Sequence, residues 1–280
     1  MAQNADGPIR IDLRRVLAER LGRWNALVPG WLRRKAERII CQDRLNALLE
    51  HNYPKRGADF CRGVLSELNV SVELRGTDRL PSRHDTRVLF VCNHPLGGLD
   101  GMALIACLSD YFGRQLQVVV NDLLMAVEPL RDCFVPVNKH GAQSRHAAST
   151  LETVMASDAP VLMFPAGLCS RQADDGTVAD LRWNKMFLRK AIDYRRDVVP
   201  LYFDGRNSDS FYRAARRRVR SGLRFNLEML LLPREVFASS GSHFSVTCGR
   251  IIPWQQLGKP CEAEAARIRQ IVYNIPSWTR

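Results

Sequence analysis

From about residue 86 onward the chain sets short apolar runs between polar, helix-like stretches, and this alternation restricts the fold more than any other feature. The runs are Val88-Leu89-Phe90-Val91, Leu116-Gln117-Val118-Val119-Val120, Cys133-Phe134-Val135-Pro136-Val137, Val161-Leu162-Met163-Phe164 and Val198-Val199-Pro200-Leu201-Tyr202-Phe203. Strands covered on both faces are continuously apolar, and helices between them supply the crossovers that parallel pairing needs. The expectation is an α/β fold: a mixed, largely parallel sheet flanked by helices over about 101–112, 144–157 and 183–195. Phe244-Ser245-Val246-Thr247-Cys248 reads as a terminal strand, and Glu262 to Ile271 as a helical tail.

The N-terminal part has a different texture. Leu13, Val16, Leu17, Leu21 and Trp24 fall at helical spacing with Arg14, Arg15, Arg20 and Arg23 largely around the other face, which predicts a basic amphipathic helix over 10–24. After Val28-Pro29-Gly30 a second helix is expected from about Trp31 to Leu49, making a helical hairpin. Such a hairpin either packs on the main domain or lies on an anionic membrane with Trp24 and Trp31 as interfacial anchors. The organisation expected is an amphipathic N-terminal region over 1–50 in contact with a membrane surface, an α/β domain over 51–260 and a helical tail over 261–280.

Lys plus Arg number 41 against 29 Asp plus Glu, a net charge of +12, which predicts an anionic partner: nucleic acid, anionic lipid or an acidic carrier protein. The longest basic run, Arg213-Ala214-Ala215-Arg216-Arg217-Arg218-Val219-Arg220, has no recognition-helix context, so nucleic acid is not the expected partner. The eight cysteines are scattered without C-x-x-C pairing and read as reduced thiols in a cytosolic setting. Charges interrupt any signal-peptide core in the first thirty residues, and no apolar run approaches the roughly 18 residues of a membrane span. No metal set is apparent. A protein of this kind would meet a membrane peripherally, at its cytoplasmic face.

Two segments carry chemistry. Asn93-His94-Pro95-Leu96-Gly97-Gly98-Leu99-Asp100-Gly101 follows a buried strand and precedes a helix, the place where α/β sheets bind ligands. A histidine there can act as a general base, with a carboxylate to fix its tautomer. On a continuous helix, six steps would rotate Asp100 about 240° away from His94, so the two meet only if the chain between them is not helical. Pro95, Gly97 and Gly98 supply such a break. Two readings stay open: a His94–Asp100 dyad, or Asp100 as the cap of the helix that starts near Gly101. The second segment, Phe164-Pro165-Ala166-Gly167-Leu168-Cys169-Ser170-Arg171, presents a turn and a cation at another strand end.

The order Asn93-His94-Pro95 with a downstream Asp, then Phe164-Pro165-x-Gly167-x-x-Ser170-Arg171, then Val199-Pro200, resembles the glycerolipid O-acyltransferases of the lysophosphatidate acyltransferase superfamily. With Phe203-Asp204-Gly205-Arg206-Asn207-Ser208 added, it is most similar to a hemolysin-like bacterial branch that includes lyso-ornithine and lyso-glycine lipid O-acyltransferases. The resemblance implies that His94 takes the proton of an acceptor hydroxyl as it attacks an acyl thioester, with Asp100 orienting His94. It implies acyl carrier protein or coenzyme A as the carrier of the acyl group, a lyso-lipid acceptor and no tightly bound cofactor. It also implies substrate contacts from Asn93, Gly97, Gly98, Phe164, Pro165, Gly167, Ser170 and Arg171.

Four departures bear on the acceptor and the dyad. Five residues separate His94 from Asp100 where the family has four, Ala166 stands in place of a common Glu, and Lys139 and Cys169 stand where lysophosphatidate enzymes carry arginines. A site with fewer guanidiniums suits an acceptor without a phosphomonoester, a lyso-aminolipid bearing a carboxylate, with Lys139, Arg171 and Arg206 as head-group cations. Cys92 and Cys169 lack an activator and read as packing residues. The alternatives are a 1-acylglycerol-3-phosphate acyltransferase and a non-catalytic, membrane-binding protein that uses the 10–24 helix and not His94.

Overall fold

A computed structural model of the chain describes residues 7–15, 18, 29–137, 145–223 and 225–278. Helices α1 (Gly30–Ile39), α2 (Gln42–His51) and α3 (Gly57–Glu67) precede the sheet. The remaining elements are β1 (Ser71–Arg75), β2 (Val88–Cys92), α4 (Leu99–Phe112), β3 (Gln117–Asn121), β4 (Phe134–Val137), α5 (Arg145–Ala156), β5 (Val161–Met163), β6 (Arg171–Gln172), β7 (Val178–Ala179), α6 (Met186–Asp193), β8 (Asp197–Asp204), α7 (Asp209–Arg220), α8 (Leu232–Ala238), β9 (His243–Cys248) and α9 (Glu262–Asn274). Seven strands form one sheet in the order β1-β9-β8-β2-β5-β3-β4, and β6 and β7 make a small separate ribbon. Every pairing in the large sheet is parallel except β8 with β9. This is the mixed, largely parallel α/β fold that the apolar runs predict.

Strand β2 shows why those runs are continuous. Phe90 and Cys92 face a core built with Phe60 and Val64 of α3 and Leu104 and Leu108 of α4. Leu89 and Val91 face the opposite core, with Leu151 and Met155 of α5, Phe187 and Leu188 of α6, and Ile268 and Val272 of α9. All four strand residues are fully buried, so both parities of the strand must be apolar. At about 1.5–3 kcal/mol for each buried large side chain, this two-sided burial supplies the main drive for forming the sheet. The parallel register also brings the C-terminal ends of β2, β5 and β8 side by side, which sets the place of the site.

Several expectations need correction. The helix expected over 31–49 is two helices, because Cys41 between them is left-handed at φ 53°, a conformation that α-helix cannot pass through. Strand β1 and helices α3, α7 and α8 fall outside the expected elements. Because β1 pairs with β9, the last strand in the sequence lies inside the sheet. The helix expected from Glu262 is present as α9, and its Ala265, Ile268 and Val272 are buried in one of the two cores. Most of the amphipathic 10–24 segment lies outside the described residues. Residues 13–15 are helical, and the nearby backbone is held on α2: Asn46 bonds both the N–H and the C=O of Ile11, and Gln42 accepts from the N–H of Leu13. No helix among the described residues is long and apolar enough to cross a membrane.

Candidate active site

The chain leaves β2 through Asn93, whose buried amide behaves as one more rung of the sheet. Its Nδ2–H donates to the C=O of Phe203 at 2.9 Å, and its Oδ1 accepts from the N–H of Phe203 at 2.7 Å. The amide is thereby engaged by β8. Asn93 holds the ends of β2 and β8 together.

His94 follows, and its Nδ1 lies 2.9 Å from Oδ2 of Asp100. The dyad forms despite the longer spacing because Gly97 takes φ +78°, a left-handed turn that folds the loop back. A side chain is also excluded there: a Cβ on Gly97 would sit 2.9 Å from Cβ of Cys169 and 3.0 Å from the methyls of Leu232. Gly98 is extended, and its N–H donates to Oδ1 of Asp100 at 3.0 Å.

Asp100 belongs to the first turn of α4 and is fully buried. Besides His94 it accepts from the backbone N–H groups of Leu96, Gly97, Gly98 and Gly101. The two readings left open by the sequence are thus both realised in one carboxylate: it satisfies N–H groups at the start of the helix and orients the histidine. Burial pushes its pKa up, but the histidine and the Leu96 and Gly101 N–H groups outweigh burial and hold it below its ordinary value. Asp100 is therefore an anion at neutral pH. With Nδ1–H directed at that anion, the neutral imidazole carries its lone pair on Nε2.

The second motif builds the other wall. The ring of Phe164 stacks on His94 with centroids 4.0 Å apart and planes 27° from parallel. Gly167, at φ +65°, closes the turn with an N–H to the C=O of Phe164 at 2.9 Å, and the C=O of Pro165 accepts from the N–H of Asn184. The N–H of Ser170 donates to the C=O of His94 at 2.8 Å. Burial pushes the Cys169 thiol up to about 11 and raises the Cys92 thiol as well, in keeping with packing roles.

The proposed head-group cations are placed differently from one another. Arg171 points inward, with Nη2 2.8 Å from Oε1 of buried Glu228 and Nη1 donating to the C=O of Cys169 at 2.6 Å. Nε of Arg218 lies 2.9 Å from the other oxygen of Glu228. The charge of Arg171 is thus largely matched inside the protein. Arg206 is exposed and paired with Asp209 at 2.5 Å, a surface ion pair that positions little and does not join it to His94. Lys139 lies outside the described residues. Among the described residues no group of three or more His, Cys, Asp and Glu is arranged to hold a metal ion.

A buried residue absent from both motifs completes the site. Oδ1 of Asp180 accepts from the backbone N–H of His94 at 3.1 Å and from Oγ–H of Ser170 at 2.6 Å, while Oδ2 accepts from Nε1–H of Trp183 at 2.9 Å. The backbone N–H of Asp180 donates to the Tyr273 hydroxyl at 2.7 Å, and its C=O accepts from Arg269, both residues on α9. Ser170 is buried in this network. Neither Asp180 nor Glu228 falls in a run or spacing that would mark it, since each is defined by partners distant in sequence.

Three comparisons with known proteins bear on the family of the chain. An acyltransferase family profile matches residues 15–270. The lyso-glycine lipid O-acyltransferase of Phocaeicola vulgatus is 38% identical over 272 residues, covering 96% of each chain. The enzyme of the same name from Bacteroides thetaiotaomicron is 37% identical over 273 residues, covering 96% of this chain and 99% of its own. A crystal structure of the 1-acyl-sn-glycerophosphate acyltransferase of Thermotoga maritima aligns over 95% of this chain and 98% of its own, with a TM-score of 0.47 and 14% identity. The family profile over residues 15–270 and relatives at 38% and 37% identity place the chain in the acyltransferase family. It is an acyltransferase.

Proposed function

We propose that this protein moves a fatty acyl chain from a thioester to the hydroxyl of a lyso-lipid, and that the acceptor is an aminolipid of the lyso-glycine kind. The observation that carries the mechanism is the 2.9 Å contact from His94 Nδ1 to a buried, ionised Asp100. Nε2 of His94 takes the hydroxyl proton as the acceptor oxygen attacks the thioester carbonyl. The C–O bond forms, the C–S bond breaks, and the imidazolium returns the proton to the departing sulfur. Asp100 stays ionised throughout and stabilises the imidazolium. The thiol is that of acyl carrier protein or coenzyme A.

The acceptor class rests on two observations. Full-length relatives at 38% and 37% identity are lyso-glycine lipid enzymes. Arg171, the motif cation, is already paired with Glu228, which leaves it poorly suited to bidentate capture of a dianionic phosphate. A lyso-ornithine acceptor satisfies the same chemistry and is the second reading. The reaction takes place at an anionic membrane surface, where a lyso-lipid resides.

The test is thiol release from acyl carrier protein and coenzyme A thioesters with lyso-glycine lipid, lyso-ornithine lipid or lysophosphatidate as acceptor, with His94→Ala alongside. Release that needs an aminolipid acceptor and disappears in His94→Ala is the expected result. Release that needs lysophosphatidate would overturn the acceptor assignment, and equal release by both proteins would overturn the role of His94.

A further inference from the structure

We propose that the segment from Val219 to Leu230 is the surface by which the protein docks on an anionic lipid bilayer. Of the ten exposed large apolar residues among the described residues, five lie in this one stretch: Val219, Leu223, Phe225, Leu227 and Leu230. Phe225 is 79% exposed, the highest value of the ten. Scattered single apolar residues are ordinary on a protein surface, but a run of this density is a contact site.

Charge names the occupant. Between residues 210 and 234 the sequence carries seven arginines and one acidic residue, Glu228. Glu228 is buried between Arg171 and Arg218 and contributes no negative surface. Arg213, Arg217 and Arg220 of α7 are exposed beside the apolar run. Cations flanking exposed aromatic and aliphatic side chains match an interface of anionic head groups above acyl chains.

The segment is also anchored to the catalytic loop, which distinguishes it from a loose surface loop. Its inward residues are fixed: Glu228 pairs with Arg171, Sδ of Met229 lies 3.8 Å from Sγ of Cys169, and Leu232, just beyond it, reaches the space beside Gly97. Inward anchors hold the outward side chains in place, and the opposite side of the same segment is the wall of the His94 loop. A bilayer bound here presents a lyso-lipid hydroxyl close to the site. This surface is additional to the contact expected at residues 1–50.

This inference deepens the lyso-lipid reading, yet its test requires no turnover. Co-flotation of the full-length protein with phosphatidylcholine vesicles, with and without phosphatidylglycerol, measures binding directly, and hydrogen exchange of the bound protein maps the contact. Phe225→Ser/Leu227→Ser/Leu230→Ser is expected to weaken binding to the mixed vesicles at least about ten-fold. Arg213→Gln/Arg217→Gln/Arg220→Gln is expected to lower it by about 10²-fold, at roughly five-fold for each cation near the surface. Both variants should keep wild-type thermal unfolding, and vesicles should slow exchange over 219–230. Three results would overturn the proposal: unchanged vesicle binding by both variants, no binding by the wild type, or intact vesicle binding accompanied by loss of a dimer or of carrier-protein affinity in the serine variant. Absence of turnover in detergent would instead count against the acyltransferase acceptor reading and leave the binding result standing.

Discussion

Asp100→Asn separates the charge of the dyad from its shape. The carboxylate accepts five hydrogen bonds, with Oδ1 facing the N–H groups of Gly98 and Gly101 and Oδ2 facing Leu96, Gly97 and Nδ1 of His94. A carboxamide offers one oxygen, so in either orientation its NH2 confronts backbone donors. The orientation that keeps Gly98 and Gly101 satisfied turns NH2 toward His94, which must then accept at Nδ1 and carry its proton on Nε2. That tautomer cannot take a proton from a hydroxyl. The whole general-base contribution is lost, about 10²–10⁴ in kcat, or roughly 2.7–5.4 kcal/mol of transition-state stabilisation.

KM should hold, because Asp100 is fully buried and reaches the acceptor only through His94. Thiol release under saturating donor and acceptor gives kcat, and circular dichroism verifies the fold. The stability of the wild type adds a second readout. Since the folded pKa of Asp100 lies below its ordinary unfolded value of about 3.9, its contribution to stability is complete above that value and is lost as pH falls through the folded pKa. The variant should lack this acid-side increment. A folded Asp100→Asn protein with kcat within about three-fold of wild type would refute the dyad, because no tautomer switch is that small.

Two further outcomes probe the frame around the dyad. Asp180→Asn keeps the volume of a positioning residue but sets an NH2 against Trp183 or against the Ser170 and His94 donors; kcat should fall about ten-fold with KM unchanged, and an equal rise in KM would show that Asp180 acts on substrate instead. Buried Arg196 donates to the carbonyls of Val88, Val154, Met155, Ser157 and Ala159, tying β2 to the end of α5, and burial holds its pKa down to about 10. Arg196→Met should cost about 3 kcal/mol or more by orphaning those carbonyls, seen as a lower denaturant midpoint with an unchanged slope.

The sheet was legible because two-sided burial writes itself into single strands. Val88 to Cys92 is apolar at every position, as a strand buried on both faces requires, and its length of five residues is too short for a typical buried helix. Strand β1 was not legible for the complementary reason. It is an edge strand whose Ser71, Glu73 and Arg75 face solvent, so its apolar content drops to Val72 and Leu74. The break at Cys41 left no signal either: a left-handed non-glycine residue is set by tertiary packing and not by local propensity. Helix α7 carried an arginine run that concealed its buried face of Phe211, Tyr212 and Ala215.

At the site, legibility divided along the same line between local and distant causes. Gly97, Gly98 and Asp100 could be read as a loop returning on His94 because every participant lies within seven residues. Cap and dyad looked like competing roles for Asp100 only while its carboxylate was imagined with one partner; two oxygens at a helix start have room for both. Asp180 could not be read at all, since its meaning comes from a backbone N–H 86 residues away and from a tyrosine on the last helix. Arg171 was legible as a cation but not as a paired one, because Glu228 lies 57 residues further on. That pairing changes what the motif cation does: Arg171, matched from within by Glu228 and bonded to the Cys169 carbonyl, braces the wall beside His94.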